Sequence, residues 1–138
     1  MRTSTETTRA LVPLTIDECI DLLGSSYLGR LAFVQDDLPH IIPLNYRFAD
    51  GTVVFRTGYG SLLDVIHNQN VAFEVDGHDE EDHTGWSVVV HGLAEEVWRI
   101  DELREIRELP LRPWAPGDRD HYVRILPSAM TGKRITSA

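Results

Sequence analysis

The run WSVVVHGLAEEVW, residues 86–98, constrains the fold more than any other part of the chain. Apolar residues at Trp86, Val88, Val90 and Ala94 alternate with polar or opposite-facing neighbours, which is the two-residue period of a strand. The run is about twice the usual strand length of roughly 5–6 residues. A strand that long has to bend, and Gly92 near its middle is where a bend or bulge fits. A small barrel uses such a strand to pass from one sheet to the other.

The remaining pattern agrees. GRLAFVQ, PHIIPLNYRF, TVVFRT, NVAFEVD and HYVRILP read as five further strands, bounded by turn residues. Asp50-Gly51 marks a hairpin tip, and DDL at 36–38 marks another turn. Pro43 confines its strand to an edge or a bulge. Val71, Phe73 and Val75 share one face. LTIDECIDLLGSS reads as a helix, with Thr15 and Glu18 at capping-box spacing, Ile16, Cys19, Ile20 and Leu23 on one stripe, and Gly24 at its end. SLLDVIHNQ opens like a second helix, with Ser61 and Asp64 at the same spacing and Leu62, Leu63 and Ile66 toward the core. DELREIREL is a short charged third helix. The expected fold is mainly β with short helices: a six-stranded antiparallel barrel occupying residues 13–138, after a polar tail over 1–12.

With 13 Lys and Arg against 22 Asp and Glu the formal charge is −9, which argues against nucleic acid and anionic membrane as partners. No long apolar run or signal-peptide core is present, and one cysteine cannot form an internal disulfide. The reading is a cytoplasmic protein with Cys19 in the core.

Chemistry is sparse. There is no G-x-S-x-G elbow to single out a nucleophilic serine. HDEEDH brings His78 and His83 into one acidic loop, but without rigid metal-ligand spacing, so a solvated loop is the simpler reading. His91 falls on a strand and His121 at a strand start, and His40 and His67 have no evident partners in sequence. The corner FRTGYGSLLDVI is more informative. Arg56 and Thr57 end a strand, glycines allow close backbone approach, and Ser61 opens a helix whose N–H groups favour an anion. These groups could cradle a phosphate, although no G-K-[ST] follows as in a Walker loop.

PLNYRF, FRTGYGSLL, GWSVVVHG and MTGKRI occur in this order. With them the chain resembles the pyridoxamine 5′-phosphate oxidase-like, FMN-binding split β-barrels, in their small single-domain actinobacterial-type branch. The resemblance runs from about residue 14 to 135. It implies a six-stranded antiparallel split barrel, a homodimer, and flavin grooves shared between the subunits. It assigns Pro43, Leu44, Asn45 and Tyr46 to the isoalloxazine ring, and Arg56, Thr57, Ser61 and Leu62 to the phosphate corner. Trp86 and Ser87 would close the site, with Lys133 and Arg134 near cofactor or partner chain. Two departures stand out. Family members commonly carry a lysine where this chain has Leu62, and the tail lacks the Arg-x-His clamp of the vitamin B6 oxidases. The expected function is therefore a flavin-dependent oxidoreductase of an unidentified small molecule, using weakly bound FMN or a deazaflavin. The alternative is a non-catalytic binder of flavin, deazaflavin or haem on the same fold.

Overall fold

The computed structural model describes residues 9–58, 61–117 and 119–137. Along them the order is β1 (Leu11–Pro13), α1 (Ile16–Ser25), β2 (Leu28–Gln35), β3 (Leu38–Asn45), β4 (Arg47–Ala49), β5 (Thr52–Thr57), α2 (Ser61–Ile66), β6 (Asn70–Asp79), β7 (Thr84–Val97), α3 (Ile100–Ile106) and β8 (His121–Ile135). The strands form one curled antiparallel sheet in the order β3-β2-β6-β7-β8-β5-β4, with β1 added to β8. The mainly β split-barrel architecture is as the sequence implies.

The long strand β7 pairs with β6 on one side and with the whole of β8 on the other. Its register on β8 shifts between His91 and Gly92. A Cβ at Gly92 would stand 2.1 Å from the Leu126 carbonyl oxygen, so only glycine permits the bulge to close there. Both short hairpins turn on two residues with positive φ: Asp36 and Asp37 at 53° and 62°, and Asp50 and Gly51 at 50° and 74°. Pro43 lies on β3, which pairs only with β2 and forms a margin of the sheet, where its missing N–H costs no ladder bond.

Three differences from the expected layout bear on the site. The segment read as one strand over 39–48 divides at Tyr46. Its N–H bonds to the Tyr27 carbonyl at 3.1 Å and its hydroxyl donates to the Leu23 carbonyl at 2.7 Å, so the residue drops inward and the chain changes partner from β2 to β5. The polar loop after β6 is shorter than expected. β6 runs to Asp79, whose carboxylate accepts the N–H groups of Glu81 and Asp82, and β7 resumes at Thr84. The tail is strand: β8 continues to Ile135 because its second half is held by β7 and β1 together. The described residues thus form eight strands rather than six, and the sheet starts at Leu11, inside the segment read as tail.

Inward-facing positions fill the core, among them Leu31, Val53, Phe55, Phe73, Val88 and Ile125, all fully buried. Each such side chain contributes about 1.5–3 kcal/mol of burial. Helix α1 closes one end. Its capping box forms as expected: Glu18 N–H donates to the Thr15 hydroxyl at 3.1 Å and Thr15 N–H to the Glu18 carboxylate at 2.9 Å. Gly24 lies inside its last turn, and Ser26 is the C-cap. Cys19 is buried, its thiol pKa pushed up by burial, and its sulfur fills the space beside Gly132. A smaller cluster of Val54, Val97, Leu111 and Tyr122 packs on the outer side against α3. It fixes the start of the long connection from α3 to β8.

Candidate functional site

The sheet order places β3 at one margin and β5 with β4 at the other, and the curl brings β3 back against β5. A groove of ≈ 440 Å³ lies at this split. β3 supplies Ile42, Pro43, Leu44 and Asn45, β5 supplies Arg56, and α2 supplies Leu62. The volume is in the range of small-molecule sites, of the order of 300–1,000 Å³. No acidic residue is among the described residues that line it.

The remaining wall is the connection between α3 and β8, through Pro113, Trp114, Ala115 and Arg119. This loop is strapped down by the strands beneath it. Arg47 Nε donates to the Pro110 carbonyl at 2.9 Å, and Arg56 donates from Nη1 to the Leu111 carbonyl at 3.3 Å and from Nε to the Arg119 carbonyl at 2.9 Å. The Trp114 N–H donates to Asn45 Oδ1 at 2.8 Å, and its indole meets Tyr27 edge-on at 5.6 Å. A second, smaller hollow of ≈ 230 Å³ lies where Tyr27, Arg47 and Arg112 flank the same strap.

Two guanidinium groups line the groove. Arg56 lies 5.4 Å above the Tyr122 ring and makes no ion pair among the described residues. Its two bonds to carbonyls leave three of an arginine's five N–H groups without a partner among the described residues. Arg119 donates from Nη2 to the Pro116 carbonyl at 3.4 Å, while its Nε is buried without a partner among the described residues.

The residues singled out in the sequence separate into groups. Pro43, Leu44, Asn45, Arg56 and Leu62 come together in the groove. Tyr46 does not face it. It is fully buried against Phe73, with ring centroids 5.0 Å apart, and burial pushes its pKa up to about 12, so it is a neutral core phenol. Thr57 is also buried, its hydroxyl 3.5 Å from the Gly58 carbonyl. The side chain of Ser61, with Tyr59 and Gly60, lies outside the described residues. Helix α2 has six residues, too few aligned peptides for a strong dipole, so attraction for an anion rests on the guanidiniums. Trp86, Ser87, Lys133 and Arg134 sit at the far end of the β7–β8 ribbon, where Trp86 faces Arg134 and Ser87 faces Lys133 across the ladder. Trp86 and Arg134 line a separate groove of ≈ 500 Å³, and the Trp86 indole covers Gly77. His78 pairs with Glu80 at 3.7 Å, and among the described residues no three His, Cys, Asp or Glu side chains gather as a metal site requires.

Comparison with known proteins settles the lineage. A family model described as pyridoxamine 5′-phosphate oxidase matches residues 15–134. This chain belongs to the pyridoxamine 5′-phosphate oxidase-like family. A Mycobacterium tuberculosis protein described as uncharacterized is 37% identical over 142 aligned positions, covering 99% of this chain and 93% of its own length. Among solved structures, the FAD binding protein from Mycobacterium smegmatis is 39% identical with a TM-score of 0.78, covering 90% of this chain and 98% of that one. A FAD-binding protein from Mesorhizobium loti is 25% identical, also at a TM-score of 0.78, covering 91% and 99%.

Leu62 joins the groove to the core. It is half-buried, packs on the core and also lines the groove, so an apolar side chain occupies a place beside Arg56. Trp114 and Arg119 are groove residues that no motif in the sequence marks. The available signal was an aromatic and several arginines inside a connection longer than most, PLRPWAPGDRD.

Proposed function

We propose that the groove between β3 and β5 binds a flavin, and that the protein is a flavin-dependent oxidoreductase acting on a small molecule. The observation that carries this reading is the groove's composition: apolar walls from β3 and the strap, two guanidiniums, and no carboxylate among its described lining residues. A tricyclic ring suits the apolar part, with Pro43 and Leu44 along it and Trp114 opposite. Arg56 suits the riboflavin 5′-phosphate, which FMN and FAD have in common. Relatives described as FAD-binding support the ligand class. The flavin supplies the redox chemistry when bound, while the chain's residues position it and set its electrostatics. The absence of an Arg-x-His tail separates this chain from a vitamin B6 oxidase.

The groove is open to one side of the chain, and Trp86, Ser87, Lys133 and Arg134 are gathered on a different surface. In our reading a two-fold homodimer brings the partner's β7–β8 end over the groove, so that each flavin is enclosed by two chains. One buried cysteine fits a reducing compartment, and we place the protein in the cytoplasm. Among the described residues no helix is long and apolar enough to cross a membrane.

A second reading has an observation in its favour. Leu62 offers no charge, and Asn45 and Arg56 already hold the strap. A non-catalytic binder of flavin, deazaflavin or haem would tolerate these features. The visible spectrum of the purified protein, before and after adding FMN, identifies the ligand class. Reduction of the bound flavin by a nicotinamide or deazaflavin donor, followed by reoxidation, makes it an oxidoreductase. Bound flavin that no donor reduces would favour the second reading.

A further inference from the structure

We infer that Arg119 is the second cation of the flavin-phosphate site, supplying from the strap the charge that position 62 does not provide. The inference rests on the flavin reading of the groove. Arg119 and Arg56 line the same groove, and no acidic side chain among the described residues lines it with them. In a chain of net charge −9, it is unusual that these two arginines meet no carboxylate among the described lining residues. Arg119 Nε is buried and has no acceptor among the described residues. A buried donor without an acceptor is costly, so an anion toward which the guanidinium could turn would relieve that cost. Among the described residues the side chain bonds only the Pro116 carbonyl, at a long 3.4 Å, a contact weak enough to yield to a ligand.

The two arginines are also mechanically linked. Arg56 Nε donates to the main-chain carbonyl of Arg119 at 2.9 Å, which fixes where the second guanidinium starts from. That anchor is backbone, so replacing the Arg119 side chain leaves it in place. Leucine at position 62 then has a consistent role. It gives the phosphate end an apolar wall on the α2 side, while the second charge enters from the loop side. The ligand class selected is a flavin carrying a 5′-phosphate, in preference to riboflavin.

The test is titration of the full chain and of Arg119→Ala and Arg119→Lys with FMN and with riboflavin, with thermal unfolding as the control for folding. Arg119→Ala is expected to weaken FMN by about ten- to hundred-fold, the range for loss of one charge-assisted bond. Riboflavin affinity should change little, and Arg119→Lys should recover part of the FMN affinity. Unchanged FMN affinity in a folded Arg119→Ala protein would overturn the assignment, while leaving the flavin reading intact. Equal losses for FMN and riboflavin would also overturn it, since a collapsed strap and not a phosphate contact would then be the cause. If the parent chain bound neither ligand, the flavin reading itself would fall, and this assignment with it.

Discussion

Asn45 Oδ1 accepts the Trp114 N–H at 2.8 Å, joining the last residue of β3 to the middle of the α3–β8 connection. The bond makes the strap part of the groove wall. Asn45→Ala leaves that N–H without its partner and should cost about 1 kcal/mol. The Trp114 indole is held edge-on to Tyr27, so release of the strap should alter tryptophan emission and speed proteolysis near residues 112–117. Identical emission and cleavage in parent and variant would show that the strap is held by the arginines alone.

Leu62→Lys tests the α2 side of the proposed phosphate corner. The side chain is half-buried on the core and lines the groove, so a lysine there can keep its stem against Leu62's neighbours and extend its ammonium toward the anion. FMN should bind tighter by about 1–2 kcal/mol, less screening, and riboflavin much less so. Titration with both ligands distinguishes this from a purely structural leucine, for which the melting temperature falls and FMN gains nothing.

Much of this arrangement is legible in the sequence because it is set locally. Thr15 and Glu18 define a cap and Asp50-Gly51 a hairpin from residues within a turn of chain, while Pro43 and Gly92 each restrict what their strand can do even before its partners are known. The position of Tyr46 is not set locally. An aromatic following PLN could as well face a ring as the core, and only the fold brings the Leu23 carbonyl within 2.7 Å of its hydroxyl. The end of β8 was also obscure, since SAMTGKRI has little apolar alternation and becomes strand because β1 and β7 flank it. Arg119 and Trp114 could not be located in the groove from sequence. Their positions depend on bonds from Arg56 and Asn45, which lie more than sixty residues earlier.

Tyr46→Phe separates core from site. The variant removes the bond to Leu23 and leaves that carbonyl unsatisfied, which should lower unfolding free energy by about 1–2 kcal/mol. Flavin affinity should be unaltered, because the ring stays packed on Phe73. Urea unfolding measures the first effect. A large loss of flavin binding without loss of stability would return Tyr46 to the site.

Glu74 gives the chain a pH response. Burial, a hydrogen bond to Asp76 and repulsion by the Asp76 charge push its pKa up to about 7, against the attraction of Arg30 at 3.3 Å. The folded chain therefore binds this proton more tightly than the unfolded one. The resulting stability is fully present below the ordinary value near 4.5 and is lost as pH rises through about 7. Solvent screens these partly exposed groups, so the effect is on the order of 1 kcal/mol or less. Melting temperatures of Glu74→Gln between those pH values should fall less steeply than the parent's, and parallel curves would remove Glu74 from the account.

The groove itself is tested most directly by titrating the protein with FMN and FAD, following flavin fluorescence, alongside Leu44→Glu. Leu44 lies on the apolar wall, half-buried and beside Pro43, where a carboxylate would oppose both the ring and its phosphate. The account predicts saturable quenching with one flavin per chain in the parent, and its loss in a Leu44→Glu protein that remains folded. Flavin binding that persists undiminished in Leu44→Glu, or no saturable binding by the parent, would contradict it.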